Sequence, residues 1–272
     1  MTPRMPAHEP HARLPGRALV LAGILERQDR PIGDWFDHGR LRLTTTGVLA
    51  KSSNVGTLML AQRIIRPQPR QLLGDSPAIL GETLNDGVNL SVWQRQLPLH
   101  IVEFAETLLA LGEPLAESLT LEPSGDGELQ LSTLAAAHRD VAGHAGFVAD
   151  VVWLVRAFAC LVDARRIGLR LRLLDKPMCP RFHVDHVPLR LITTYAGAGS
   201  EWLREGVMAR RRLGEPSAEP TDAAAVERLQ VGEVALFKGE KWQGNEGAGI
   251  IHRSPLAAPD APHLILTLDW LA

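Results

Sequence analysis

Cysteine is nearly missing from this chain, with two in 272 residues, Cys160 and Cys179. So few cannot build the disulfide scaffold of a small secreted protein, and reduced thiols are expected. Long apolar runs are also missing: no stretch reads as long enough to cross a bilayer. Nothing at the N-terminus has the form of a signal peptide. The apolar run from Ala18 to Leu25 is short, and Glu26-Arg27-Gln28-Asp29 follows it where small residues would be needed. Charge of one sign is lacking too. A net charge of −2 excludes whole-molecule attraction to nucleic acid or an anionic membrane. Two basic clusters, Arg165 to Arg181 and Arg210-Arg211-Arg212, read as solvated faces. The glycine-bearing stretches Lys238 to Lys241 and Gly244 to Gly249 lack the Gly-Lys-Ser/Thr of a phosphate loop. Ser200 and Ser254 lack the frame of a nucleophile elbow. These absences leave a soluble, cytoplasmic protein as the expectation.

What is present is an ordinary globular composition, 45% hydrophobic and 22% charged, enough for a sizeable core. Residues 1 to about 16 read as a loose tail rich in Pro, His and Arg. A β-prone piece over Leu41 to Leu49 and a short helix over Leu58 to Ile65 follow. Prolines and polar residues from Pro67 to Ser76 mark a boundary. We divide the chain into an N-terminal extension, 1–78, and a main domain, 79–272.

In the main domain Val88, Leu90 and Val92 alternate as a strand. Ile101, Phe104, Ala105, Leu108 and Leu109 form one helical stripe, ended by Gly112 and Pro114. Phe147 to Asp163 is apolar nearly all round and reads as a buried helix, with Cys160 as a small core residue. From Ile167 onward the chain is short strands and loops. One helical layer followed by many strands suits an α+β fold with an antiparallel jelly-roll core backed by helices.

The stretch that organises the rest is Met178 to Leu203, with His183-Val184-Asp185 at its heart. Side chains alternate along a strand, so His183 and Asp185 point the same way. An imidazole and a carboxylate on one side can hold a divalent transition metal, and His252 is the best third ligand. Two His and one carboxylate with open positions is the ligand set of non-haem Fe(II) oxygenases. Zinc is the alternative, built on Cys179 with His183 or His186. A third reading is a jelly roll that binds a ligand without metal.

Two resemblances rest on these residues. His183-Val184-Asp185, Gly232 to Phe237, His252 and Leu264 to Trp270 resemble the double-stranded β-helix of 2-oxoglutarate-dependent Fe(II) dioxygenases, in the prolyl-hydroxylase-like branch. Val88 to Arg95, the stretch CPRFHVDHVPLRLITTYAG and His252 to Pro255 also resemble a bacterial family of uncharacterised function, over roughly 80–272. That second likeness implies a neighbourhood of metal-homeostasis genes and a zinc-binding accessory role as the alternative to turnover. The dioxygenase likeness implies Fe(II) on His183, Asp185 and His252, with 2-oxoglutarate as cosubstrate. Its distal carboxylate calls for a cation about ten residues after the second His, where this chain has His263. Arg190, Arg253 and the hydroxyl of Tyr195 are the other candidates. The substrate, a small molecule or a protein side chain, is not specified by the likeness.

Overall fold

The computed structural model describes residues 24–27, 30–33, 68–123, 129, 131–256 and 261–271. The chain divides into two compact units, Met1–Pro67 and Gln68–Ala272. Within the first, β1 (Ile24–Arg27) and β2 (Arg30–Gly33) form an antiparallel pair in which Arg27 faces Arg30. The expected tail, the β-prone piece at Leu41 to Leu49 and the helix at Leu58 to Ile65 lie outside the described residues.

The second unit is built on seven strands: β3 (Arg70–Gly74), β4 (Val88–Trp93), β5 (Ala116–Leu121), β6 (Ile167–Leu174), β7 (Leu189–Ala196), β10 (Val234–Lys238) and β12 (His263–Trp270). Their order across the major sheet is β3-β4-β10-β7-β12-β6-β5. Every neighbouring pair is antiparallel except β3 with β4. A minor sheet runs β11-β8-β9, from β8 (Glu201–Leu203), β9 (Val226–Arg228) and β11 (His252–Arg253).

Strand alternation sends the side chains of the central strands β7 and β12 into two different cores. On β7, Leu189, Leu191 and Tyr195 enter the core shared with the helices, while Ile192 enters the core shared with the minor sheet. On β12, Leu264, Leu266 and Leu268 face the helices and Ile265 packs on the other side. The inner core joins Leu90, Val92, Ala235 and Phe237 to Trp202 of the minor sheet and to Ile250. Two sheets face to face with helices on one outer side make the α+β, helix-backed double-stranded β-helix expected from the sequence.

The helix α1 (Leu99–Leu111) buries Ile101, Phe104, Ala105 and Leu108 of the stripe its spacing predicts, with Leu109 partly buried beside them. Gly112 ends it at φ 65°, a conformation that costs glycine little. The second helix, α2 (His144–Val162), starts after Gly143, where a Cβ would lie 2.0 Å from the His100 carbonyl oxygen. Phe147, Val151, Leu154, Val155 and Phe158 of α2 are buried. Each fully buried side chain of that size contributes about 1.5–3 kcal/mol of transfer free energy. The helix differs from the sequence reading in two ways. Its outer stripe is exposed at Trp153, Arg156 and Cys160, so Cys160 is no core residue. By length and composition it is also apolar enough to cross a membrane, though here its apolar stripe lies in the core.

Candidate metal centre

The segment between β6 and β7 is irregular, and His183 is its one bridged residue, paired antiparallel with His252 of β11. Each of the two N–H groups donates to the other residue's carbonyl over 3.0 Å. Val184 to Pro188 is not strand, so same-face alternation is not what brings Asp185 to His183. Main-chain bonds to the loop after β10 hold Asp185 instead: Glu240 N–H donates to the Asp185 carbonyl over 2.9 Å.

The three side chains converge. Asp185 Oδ1 lies 3.7 Å from His183 Nε2, and Asp185 Oδ2 lies 3.4 Å from His252 Nε2. Among the described residues they form a group of potential ligands whose atoms all lie within 4.8 Å of one another. Both rings are tied from behind. His183 Nδ1 donates to the Arg181 carbonyl over 2.9 Å, and His252 Nδ1 donates to the Ile250 carbonyl over 3.1 Å. A neutral imidazole with its proton on Nδ1 carries the lone pair on Nε2. Two such lone pairs and a carboxylate thus face one point with no donor among them. That is the donor chemistry of a divalent transition-metal site with its outer hydrogen bonds in place.

Electrostatics agree with that arrangement. Burial, and then the His252 ring, lower the pKa of His183, which favours the neutral ligand form. Burial alone would raise the Asp185 carboxyl. The adjoining His252, Arg190 and His183 side chains outweigh it and hold the group far below the usual carboxylate range. Access is one-sided: the His183 side chain is 34% exposed and that of His252 only 6%. His252 also packs edge-on to Phe237 at 4.7 Å.

The other expected residues separate. Arg190, at the start of β7, donates to Asp185 Oδ2 over 2.7 Å and to both oxygens of Asp269 over 2.6 and 3.2 Å. Its guanidinium is committed to protein carboxylates. Tyr195 corrects the sequence expectation: it enters the helix-facing core, and its hydroxyl donates to Asp150 Oδ2 over 2.6 Å. Burial and the Asp150 charge push its pKa well up. It cannot serve a ligand on the opposite face of the sheet. Arg253 is a second correction. It follows His252 on β11 and so faces away from it, with Nε on Glu201, Nη1 on Glu219 and its guanidinium 4.1 Å above the Phe182 ring. His263 does lie on the inner face, 2% exposed, with Nε2 buried and without a partner among the described residues. Thr194 Oγ1, on the neighbouring strand, is likewise buried without a partner. Cys179 is exposed and outside the three-residue group; its carbonyl and N–H pair with Ser254.

Sequence reasoning missed Asp269, Asp150 and Arg95. Arg95 forks onto Asp150 over 2.6 and 2.9 Å and so ties α2 to the end of β4. Asp269 carried a readable signal: it is a charged residue on the inner register of a strand whose other face reads Leu264, Leu266, Leu268 and Trp270.

Solved structures similar to this chain include a prolyl-4-hydroxylase from Pseudomonas putida, at 12% identity and a TM-score of 0.38, covering 71% of this chain and 96% of that one. A dioxygenase for auxin oxidation from Arabidopsis thaliana, bound to 2-oxoglutarate, has 11% identity and a TM-score of 0.40 over 76% and 93%. At these scores the likeness identifies no relative. The penicillin-binding protein PbpB of Mycolicibacterium smegmatis is 48% identical over 50 residues, which are 18% of this chain and 8% of that protein. The Mycobacterium tuberculosis PbpB is 46% identical over the same length, 7% of that protein. The chain thus matches less than a tenth of these curated relatives. By contrast one family profile, described as a protein of unknown function, DUF1826, spans residues 74–269 and nearly the whole second unit, and this chain belongs to that family.

Proposed function

We propose that the chain is an Fe(II)- and 2-oxoglutarate-dependent oxygenase, with His183, Asp185 and His252 as metal ligands. One observation carries this reading: both Nε2 lone pairs and the Asp185 carboxylate aim at one point, and main-chain carbonyls fix both ring tautomers. Three protein ligands from one side would hold the ion and leave its other side free for a keto acid and O₂. Bound there, iron supplies an oxidant able to hydroxylate an unactivated C–H bond.

The chain's own residues do the rest. His183 stands on the solvent side, where a substrate enters. His252 and Phe237 close the inner side and exclude water. His263 Nε2 and Thr194 Oγ1 are orphaned buried polar atoms on the inner face, and a carboxylate would satisfy both. Burial lowers the His263 pKa in the absence of such a partner. The substrate is a small molecule or a protein side chain, and the compartment is a reducing cytoplasm.

The test is metal content and turnover of anaerobically purified protein. About one iron per chain, its loss in His183→Ala, and succinate formed from 2-oxoglutarate would support the reading. Tightly held zinc without succinate, or no metal at all, would overturn it.

A further inference from the structure

The buried charges behind Asp185 form a chain of their own. Arg170 Nη1 lies 2.9 Å from Asp269 Oδ2. Asp269 accepts Nε and Nη2 of Arg190 over 2.6 and 3.2 Å, and Arg190 Nη1 reaches Asp185 Oδ2 over 2.7 Å. The signs alternate from the half-exposed Arg170 inward to Asp185. Asp269 is 2% exposed and sits directly opposite Arg190 in the β7–β12 register. The guanidinium is therefore held by two adjacent strands of a packed sheet, not by a loop.

A buried ion pair of this kind is weak evidence of a stabilising role. Desolvation consumes most of its attraction, and apolar residues of equal volume often do as well. The geometry points to another use. A carboxylate beside a metal can bind through one oxygen or both. Arg190 Nη1 occupies Oδ2, the oxygen 3.4 Å from His252 Nε2, while Oδ1, on the His183 side, accepts no hydrogen bond among the described residues.

We propose that Arg190 is a positioning residue: braced on Asp269, it restricts Asp185 to one metal-facing oxygen and so keeps a further coordination position open. This rests on the metal-ligand reading above. It also has a corollary. Arg190 cannot at once brace Asp185 and anchor a cosubstrate carboxylate, which leaves that task to other residues of the inner face.

Co(II) titration tests this without any turnover, because cobalt's visible bands report coordination number. Four proteins are compared: wild type, Arg190→Met, Arg190→Lys and Asp269→Asn, with His183→Ala as the ligand control. Wild type is expected to bind one Co(II), and Arg190→Met to bind it about 10–100-fold more weakly. Its bands should also weaken and shift as Asp185 becomes bidentate and the ion gains a ligand. Arg190→Lys, which cannot span two carboxylates, is expected to restore only part of the wild-type spectrum. If Arg190→Met unfolds, Asp269→Asn carries the test, because it loosens the brace while keeping its shape. An Arg190→Met or Asp269→Asn protein with wild-type affinity and an unchanged spectrum would overturn the inference alone. Wild type that binds no Co(II), or binds it no better than His183→Ala, would overturn the ligand reading and this inference with it.

Discussion

His183 and His252 hold each other through the main chain. Each donates its N–H to the other's carbonyl over 3.0 Å, and their ring centroids lie 4.5 Å apart. Backbone pairing therefore sets the two residues side by side, the Nδ1 bonds orient the rings, and removing a ring leaves the bridge intact. His183→Ala is expected to lose metal while changing stability by no more than about 0.5 kcal/mol, as half-exposed positions do. His252→Ala is expected to lose metal and also about 1–3 kcal/mol, because its buried ring packs on Phe237. Metal analysis beside urea unfolding separates the two. A His183→Ala protein that keeps stoichiometric metal would show the ligand set to be wrong.

Tyr195 offers a clean contrast. Its hydroxyl meets Asp150 on the helix side, where Arg95 already holds that carboxylate with two bonds. Tyr195→Phe is expected to cost about 1–2 kcal/mol in unfolding experiments. It should leave the KM for 2-oxoglutarate where it was, and a KM raised tenfold would return Tyr195 to the binding site.

His263 points the other way. A buried Nε2 without a partner destabilises the fold that contains it. His263→Leu is expected to raise unfolding stability by about 1 kcal/mol while weakening 2-oxoglutarate binding. Loss of stability with unchanged binding would contradict both halves.

Lys238 gives a pH signature away from the metal. Its ammonium donates to the Asn85 carbonyl over 3.0 Å and lies 4.8 Å from the Trp242 ring centroid. Burial pushes its pKa from 10.5 down to about 8. Below pH 8 both folded and unfolded chains carry the proton. Between about 8 and 10.5 the unfolded chain keeps a proton that the folded chain has released, so stability rises with pH. From pH 7.5 to 9.5 wild type should gain about 2 kcal/mol relative to Lys238→Met. A flat difference across that range would mean that the ammonium is not penalised by burial.

Much of this was legible because it rests on period. The α1 stripe reports directly which side chains are buried, and α1 and the strand over Val88 to Trp93 both stand where the spacing puts them, although Asn89 and Ser91 are buried along with the alternating apolar residues. The convergence of His183, Asp185 and His252 was legible for a different reason, since His-x-Asp with a later His is a chemical pattern. The route to it was not, because Asp185 is held by the Glu240 N–H and not by a strand. The roles of Arg190, Arg253 and Tyr195 escaped the sequence altogether. A guanidinium or hydroxyl near a site in sequence carries no mark of its partner, and Asp269, Glu201 and Asp150 all come from other parts of the chain. The helix α2 was read as uniformly buried because its outer stripe is apolar too, at Trp153 and Cys160.

The single residue pair that joins His183 to the minor sheet has one more consequence. A seam of two N–H···O bonds has little cooperative protection, and opening it locally costs far less than unfolding the domain. An ion shared by the two rings and Asp185 would lock that seam from the side-chain end. The amide protons of His183 and His252 then become a gauge of occupancy, quick to exchange with deuterium in the empty protein and slow in the loaded one.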